Sequence, residues 1–207
     1  MKRAFLLIIV CTLAFISAHA QNSSVEATSQ LTKAEQFKNN NSFIKEATIY
    51  EDKASGMKLY AKLFTDLNSG EQLAALEIWP TTASKLLTGG VVSPLGYLDL
   101  DQIDDLLLAL ETIQTESSQT DKKDNYSITY TAPGGIDVLF FNDIKTALTG
   151  NTHGLIIFRK KWHHTNEYGV PTVSYSEATT SCSIKNLPKL IDAVKEAQNT
   201  AHQSLKK

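Results

Sequence analysis

Cysteine is nearly missing from this chain: among 207 residues only Cys11 and Cys182 occur. Cys11 lies in an N-terminal stretch that reads as removable, so the mature chain is expected to keep Cys182 alone and to form no internal disulfide. A body without that cross-link has to be held by its apolar core, and the residues from Gln21 onward are numerous enough for one. Cys182 is expected on the core face of a strand, as a small buried hydrophobe rather than a nucleophile. Beyond the N-terminus no run approaches the roughly eighteen consecutive apolar residues of a membrane-spanning helix. Reaction motifs are missing as well. There is no Gly-x-Ser-x-Gly elbow, no Gly-x-x-x-x-Gly-Lys loop, no His-Glu-x-x-His and no Gly-x-Gly-x-x-Gly after a strand. No cofactor and no reaction centre are therefore expected, although residues dispersed in sequence leave an unrecognised hydrolase as an alternative. Nor is there a large charge of one sign. The formal balance is −2, and it becomes −4 when Lys2 and Arg3 leave with the N-terminal stretch. That argues against a generic polyanion binder, nucleic acid included.

What is present begins with a secretory signal. Lys2 and Arg3 form a positive start, Ala4 to Ile16 an apolar core, and Ala18-His19-Ala20 supplies small residues for cleavage near Ala20-Gln21. The core reaches only about 20 Å as a helix, short of a bilayer's hydrocarbon thickness. Ile8-Ile9-Val10 before Cys11 lacks the small residue of a lipobox. Residues 1–20 are thus expected to be a signal peptide, and the product to be secreted or periplasmic. Residues 21–41 are polar apart from a weak helical hint at Leu31, Ala34 and Phe37, and read as a flexible tether to the folded part.

From Ser42 onward the dominant signal is internal duplication. Leu98/Cys182, Leu100/Ile184, Ile103/Leu187, Leu106/Leu190, Leu107/Ile191, Ala109/Ala193, Leu110/Val194 and Ile113/Ala197 match without a gap at a spacing of 84 residues. Ahead of each copy runs a series of strand-like segments. In the first half these are 47–51, 57–65, 73–79 and 91–100, with Lys58/Tyr60/Lys62 alternating against Leu59/Ala61/Leu63. In the second they are 126–131, 136–141, 155–162 and 173–184. Asp101 is the expected cap of the first helix, with Asp104 and Asp105 following in its first turn. Asn186 is the expected cap of the second, with Pro188 in its first turn. The fold class is α+β: duplicated ββββα units, antiparallel sheets with one helix closing each half. Residues 42–207 form a single globular domain of two halves, 42–117 and 126–207.

Two strand-to-helix junctions, Leu98-Asp99-Leu100-Asp101-Gln102-Ile103 and Cys182-Ser183-Ile184-Lys185-Asn186-Leu187, carry a likeness in element order. Over residues 42–205 the chain resembles the Whirly and PUR-type single-stranded nucleic-acid-binding proteins. The resemblance implies a duplicated sheet-and-helix fold and a sheet that binds single strands. No counterpart of the Lys-Gly-Lys-Ala-type strand motif is present, so no binding residue carries over.

One cluster has binding chemistry: Arg159, Lys160, Lys161, Trp162, His163 and His164. Cations beside an aromatic neutralise phosphate and stack a base. On a strand, however, Arg159, Lys161 and His163 face away from Lys160, Trp162 and His164, and lysines at a strand end also discourage edge pairing. His163, His164 and Glu167 meet one metal ion only in a loop. Asp99, Asp101, Asp104 and Asp105 match no calcium loop and read as capping acids. The resulting expectation is an exported, non-enzymatic binding or interaction module of the cell envelope or periplasm, with a macromolecular partner or self-association. The alternatives are single-strand binding through a Whirly-like sheet and an unrecognised hydrolase.

Overall fold

The computed structural model describes residues 31–54, 56–81, 94–119, 126–141, 155–165 and 170–206, with backbone alone at 155, 161–165 and 171–178. The expected signal peptide, the start of the tether, the loop around Gly150 and the turn at Asn166 to Gly169 lie outside the described residues. A short helix, α1 (Lys33–Asn40), comes first. It is followed by β1 (Ile44–Ala54), β2 (Met57–Asp66), β3 (Gln72–Pro80), β4 (Gly96–Asp99) and α2 (Leu100–Gln119). The second half runs β5 (Ser127–Thr131), β6 (Ile136–Phe141), β7 (Leu155–Thr165), β8 (Pro171–Ser183) and, after a 3₁₀ turn at Ile184–Asn186, α3 (Leu187–Ser204). Each half is a four-stranded antiparallel meander, in order β1-β2-β3-β4 and β5-β6-β7-β8, followed by a helix. The repeated ββββα order is therefore the fold.

The apolar stripes define one shared core. Ile103, Leu106, Leu110 and Ile113 of α2 and Leu187, Leu190, Val194 and Ala197 of α3 are all buried in it. They meet Leu59, Ala61, Leu76 and Ile78 of the first sheet and Val138, Phe140, Ile156, Phe158 and Cys182 of the second. The pairing of helices with sheets crosses between halves. α3 packs along β1, β2 and β3, while α2 lies against α3 and reaches β5 as well as β3 and β4. Across the helix pair Lys195 Nζ sits 2.7 Å from Glu111 Oε1, and Gln198 Nε2 donates to Asp104 Oδ1 (2.7 Å). The β1–β2 turn also crosses over. Gly56, at φ 87°, offers its carbonyl to Thr180 Oγ1 (2.8 Å), and a Cβ there would stand 2.9 Å from the Ser181 carbonyl oxygen.

Part of the expected tether is a docked element, because Ala34 and Phe37 find an apolar seat. α1 opens with a capping box: Glu35 N–H donates to Thr32 Oγ1 (3.1 Å) and Thr32 N–H to Glu35 Oε2 (2.9 Å). Ala34 and Phe37 are buried on Phe64 and Ala75, on the face of the first sheet opposite α3. Asp99, 3 % exposed, accepts the backbone N–H groups of Lys33 (2.7 Å) and Ala34 (3.0 Å), orphan donors that any helix start must satisfy. α1 also touches the second half, where Thr32 lies against Gly134 and Lys160 Nζ is 3.5 Å from Glu35 Oε1.

Capping differs from expectation in both long helices. α2 starts two residues early, so Asp99 rather than Asp101 precedes it, and the Asp99 N–H donates to Gln102 Oε1 (3.2 Å). Asp101 instead pairs with Lys33 at 2.6 Å. Asn186 precedes α3 but makes no side-chain capping hydrogen bond there, because the 3₁₀ turn already leads the backbone into the helix.

Candidate functional site

Strand alternation gives the first sheet two unlike faces. One carries Leu59, Ala61, Leu76 and Ile78 into the core beneath α3. The other carries Lys58, Tyr60, Lys62 and Phe64 on β2, beside Trp79, Glu77, Ala75 and Leu73 on β3. An eight-residue helix is only about 12 Å long. α1 therefore covers Phe64, Ala75 and Tyr97 and leaves the β2–β3 surface toward Trp79 open. That surface is a groove of about 440 Å³ lined by Lys58, Tyr60, Lys62, Glu77, Trp79, Pro80 and Thr81.

Its polar groups fall into two sets. Lys62 Nζ is held 3.1 Å from Glu46 Oε1 and 3.7 Å from Glu77 Oε2, and 5.3 Å from the centre of the Tyr60 ring. Burial works to raise the Glu46 carboxyl, but the hydrogen bond from Lys62 and the charge of Lys38 outweigh it and hold the group below its ordinary value. Glu77 is buried, with the Lys62 ammonium as its ion-pair partner. Tyr60 and Trp79 meet edge to face, centroids 6.5 Å apart and planes at 85°, and form a corner rather than a flat platform. In the second set, Lys53, Lys58 and Trp79 are aligned across β1, β2 and β3 as direct register partners. The Trp79 indole N–H is buried without a hydrogen-bond partner among the described residues. The groove thus offers an aromatic corner, cations and a carboxylate.

The cluster expected from sequence is divided. Arg159 Nε lies 3.6 Å from the buried Asp137 Oδ2, and Thr131 Oγ1 donates to Asp137 Oδ1 (2.6 Å). Lys160 is 4 % exposed and faces Glu35 of α1, its Nζ 3.5 Å from Oε1. Arg159 and Lys160 do point to opposite sides, but the strand is bulged between Arg159 and Lys161, which breaks simple alternation beyond that point. Lys161, Trp162, His163 and His164 continue β7, paired with Tyr175, Ser174, Val173 and Thr172 of β8, and their side chains are outside the described set. Cys182 is buried in the core, its thiol donating to the Ser183 carbonyl (3.2 Å).

The acids at the start of α2 have structural partners: Asp99 on α1, Asp101 on Lys33, and Asp104 on Gln198. The hydrogen bond from Lys33 holds the Asp101 carboxyl below its ordinary value. Among the described residues no three His, Cys, Asp or Glu side chains converge as metal ligands. A second groove, about 640 Å³, lies between the end of β1 and the start of α3, where Asp52, Asp192 and Glu196 alternate with Lys53 and Lys189. The Lys58/Tyr60/Lys62 alternation is visible in the sequence, but Glu77 and Trp79 join it only through the β2–β3 register.

Compared with known protein families, curated proteins and solved structures, the chain matches none.

Proposed function

We infer that this protein is an exported, non-enzymatic binding module, acting in the periplasm or outside the cell, and that its ligand seats on the uncovered half of the first sheet. The observation that carries this is the Tyr60–Trp79 corner, open beside Lys58 and Glu77 while the rest of that face is sealed by α1. Concave sites that join aromatic surface to a few convergent polar groups are the usual form of ligand pockets. Export is supported by the signal-like residues 1–20 and accords with the absence, among the described residues, of any helix long and apolar enough to cross a membrane.

Hydrogen–deuterium exchange on the full chain, with and without envelope and culture-supernatant fractions of its source cells, tests the site. Ligand binding is expected to slow exchange in β2 and β3 above all. Protection confined to β7–β8 would refute this site and return attention to the His163 region.

Single-stranded nucleic acid remains the second reading, because Lys58 and Lys62 flank two aromatics on one strand face. Glu46, Glu51 and Glu77 share that face and oppose a phosphate backbone.

A further inference from the structure

We propose that the groove on β2 and β3 takes an acidic glycan: a sugar chain whose ring stacks in the Tyr60–Trp79 corner and whose carboxylate is held by Lys53 and Lys58. The proposal rests on the site assignment above and adds the chemical class of the ligand.

Three features select this chemistry. Lys53 and Lys58 are direct cross-strand partners, an arrangement that costs stability because like charges face one another. Neither ammonium has an ion-pair partner among the described residues, and an anion between them relieves the repulsion. Next along the same row stands Trp79, whose ring makes the corner with Tyr60 and gives a sugar ring an aromatic surface beside the two ammonium groups. Finally, the groove is lined by a donor and an acceptor together, the Lys58 ammonium and the Glu77 carboxylate. Sugar hydroxyls match both, and the polarised C–H face of a pyranose suits the electron-rich face of an aromatic ring.

A nucleic-acid strand fits less well. Its repeating phosphates would run along a face that also carries Glu46, Glu51 and Glu77, and perpendicular rings do not make a continuous stacking surface. An acidic sugar needs only one anion site, at the Lys53–Lys58 end, with the buried Glu77 one row away among hydroxyls.

The test is calorimetric titration of the full chain with an oligogalacturonate, the uncharged galactose oligomer of equal length, and a single-stranded oligothymidylate. The oligogalacturonate is expected to bind and the uncharged oligomer at least about tenfold more weakly, the scale of one charge-assisted hydrogen bond. Lys53→Gln, outside the groove's lining, should weaken the uronate about tenfold while leaving the uncharged oligomer unchanged, and Lys58→Gln should weaken the uronate more than the uncharged oligomer. Trp79→Leu, which removes the ring that faces Tyr60, should weaken both sugars. No binding of oligogalacturonate at millimolar concentration, equal binding of the two sugars, or tighter binding of oligothymidylate overturns the glycan assignment. Exchange protection of β2 and β3 by another ligand would then leave the site standing without it.

Discussion

At the residue scale the fold turns on a few buried polar groups that join distant segments. Asp99 ends β4, leads into α2 and satisfies two N–H groups at the start of α1, so one carboxylate serves three elements. Asp99→Ala leaves those donors unmet and is expected to cost roughly 2–4 kcal/mol, read as a lower urea midpoint at unchanged slope. Two phenols report burial directly. Burial, then the charge of Asp52 and the hydrogen bond donated to it, pushes Tyr50 up to about 12 from an ordinary 10.0. Burial, then the charge of Asp105, pushes Tyr130 up to about 12 as well. Between pH 10 and 12 the unfolded chain gives up protons that the folded protein keeps. Stability from these groups is therefore intact below pH 10 and falls as pH rises through that window. Ultraviolet titration should show late phenolates, those of Tyr50 and Tyr130 among them, and Tyr130→Phe should flatten the alkaline loss of stability.

At the scale of elements, α1 shows how little sequence signal a docked helix needs. Its weak periodicity at Leu31, Ala34 and Phe37 gave a hint, but polar neighbours and Asn39-Asn40-Asn41 read as tether. What makes it a helix is a capping box and a seat prepared by Phe64, Ala75 and Tyr97, residues that come together only in the folded sheet. Its grip on the second half is testable at Gly134, where an added Cβ would overlap Thr32 Cγ2. Gly134→Ala is expected to destabilise by about 1–3 kcal/mol through overpacking. Thr32→Ser, which keeps the capping hydroxyl and removes the methyl, should restore most of that loss in the double variant. Additive effects by denaturant titration would mean that α1 does not touch this turn.

For the whole molecule the decisive feature is that α3 covers strands of the opposite half. Each ββββα unit leaves an apolar surface that its own elements do not close, and α3, laid on the first sheet and against α2, makes one core of both. Leu190→Ala is accordingly expected to cost about 2–5 kcal/mol. It should speed amide exchange in β1–β3 at least as much as in β5–β8. A truncated chain ending before α3 should show no cooperative unfolding transition in denaturant. If it unfolds cooperatively with native-like m-value per residue, the halves are independent and the shared core is not what stabilises them.

By itself the sequence determined the element order, the two matching helix stripes and the core positions on them, because hydrophobic periodicity is local and each period is set by backbone geometry. Ile103 and Leu187 are buried as their spacing required, and Cys182 sits in the core as strand alternation required. Tertiary structure alone decided which helix lies on which sheet, that Lys160 turns inward to Glu35, and that Trp79 stands beside Tyr60 and Lys58. Periodicity says that a face must be buried but not against what. The partner is chosen by shape and by polar groups that meet across long stretches of chain, and those have no local signature.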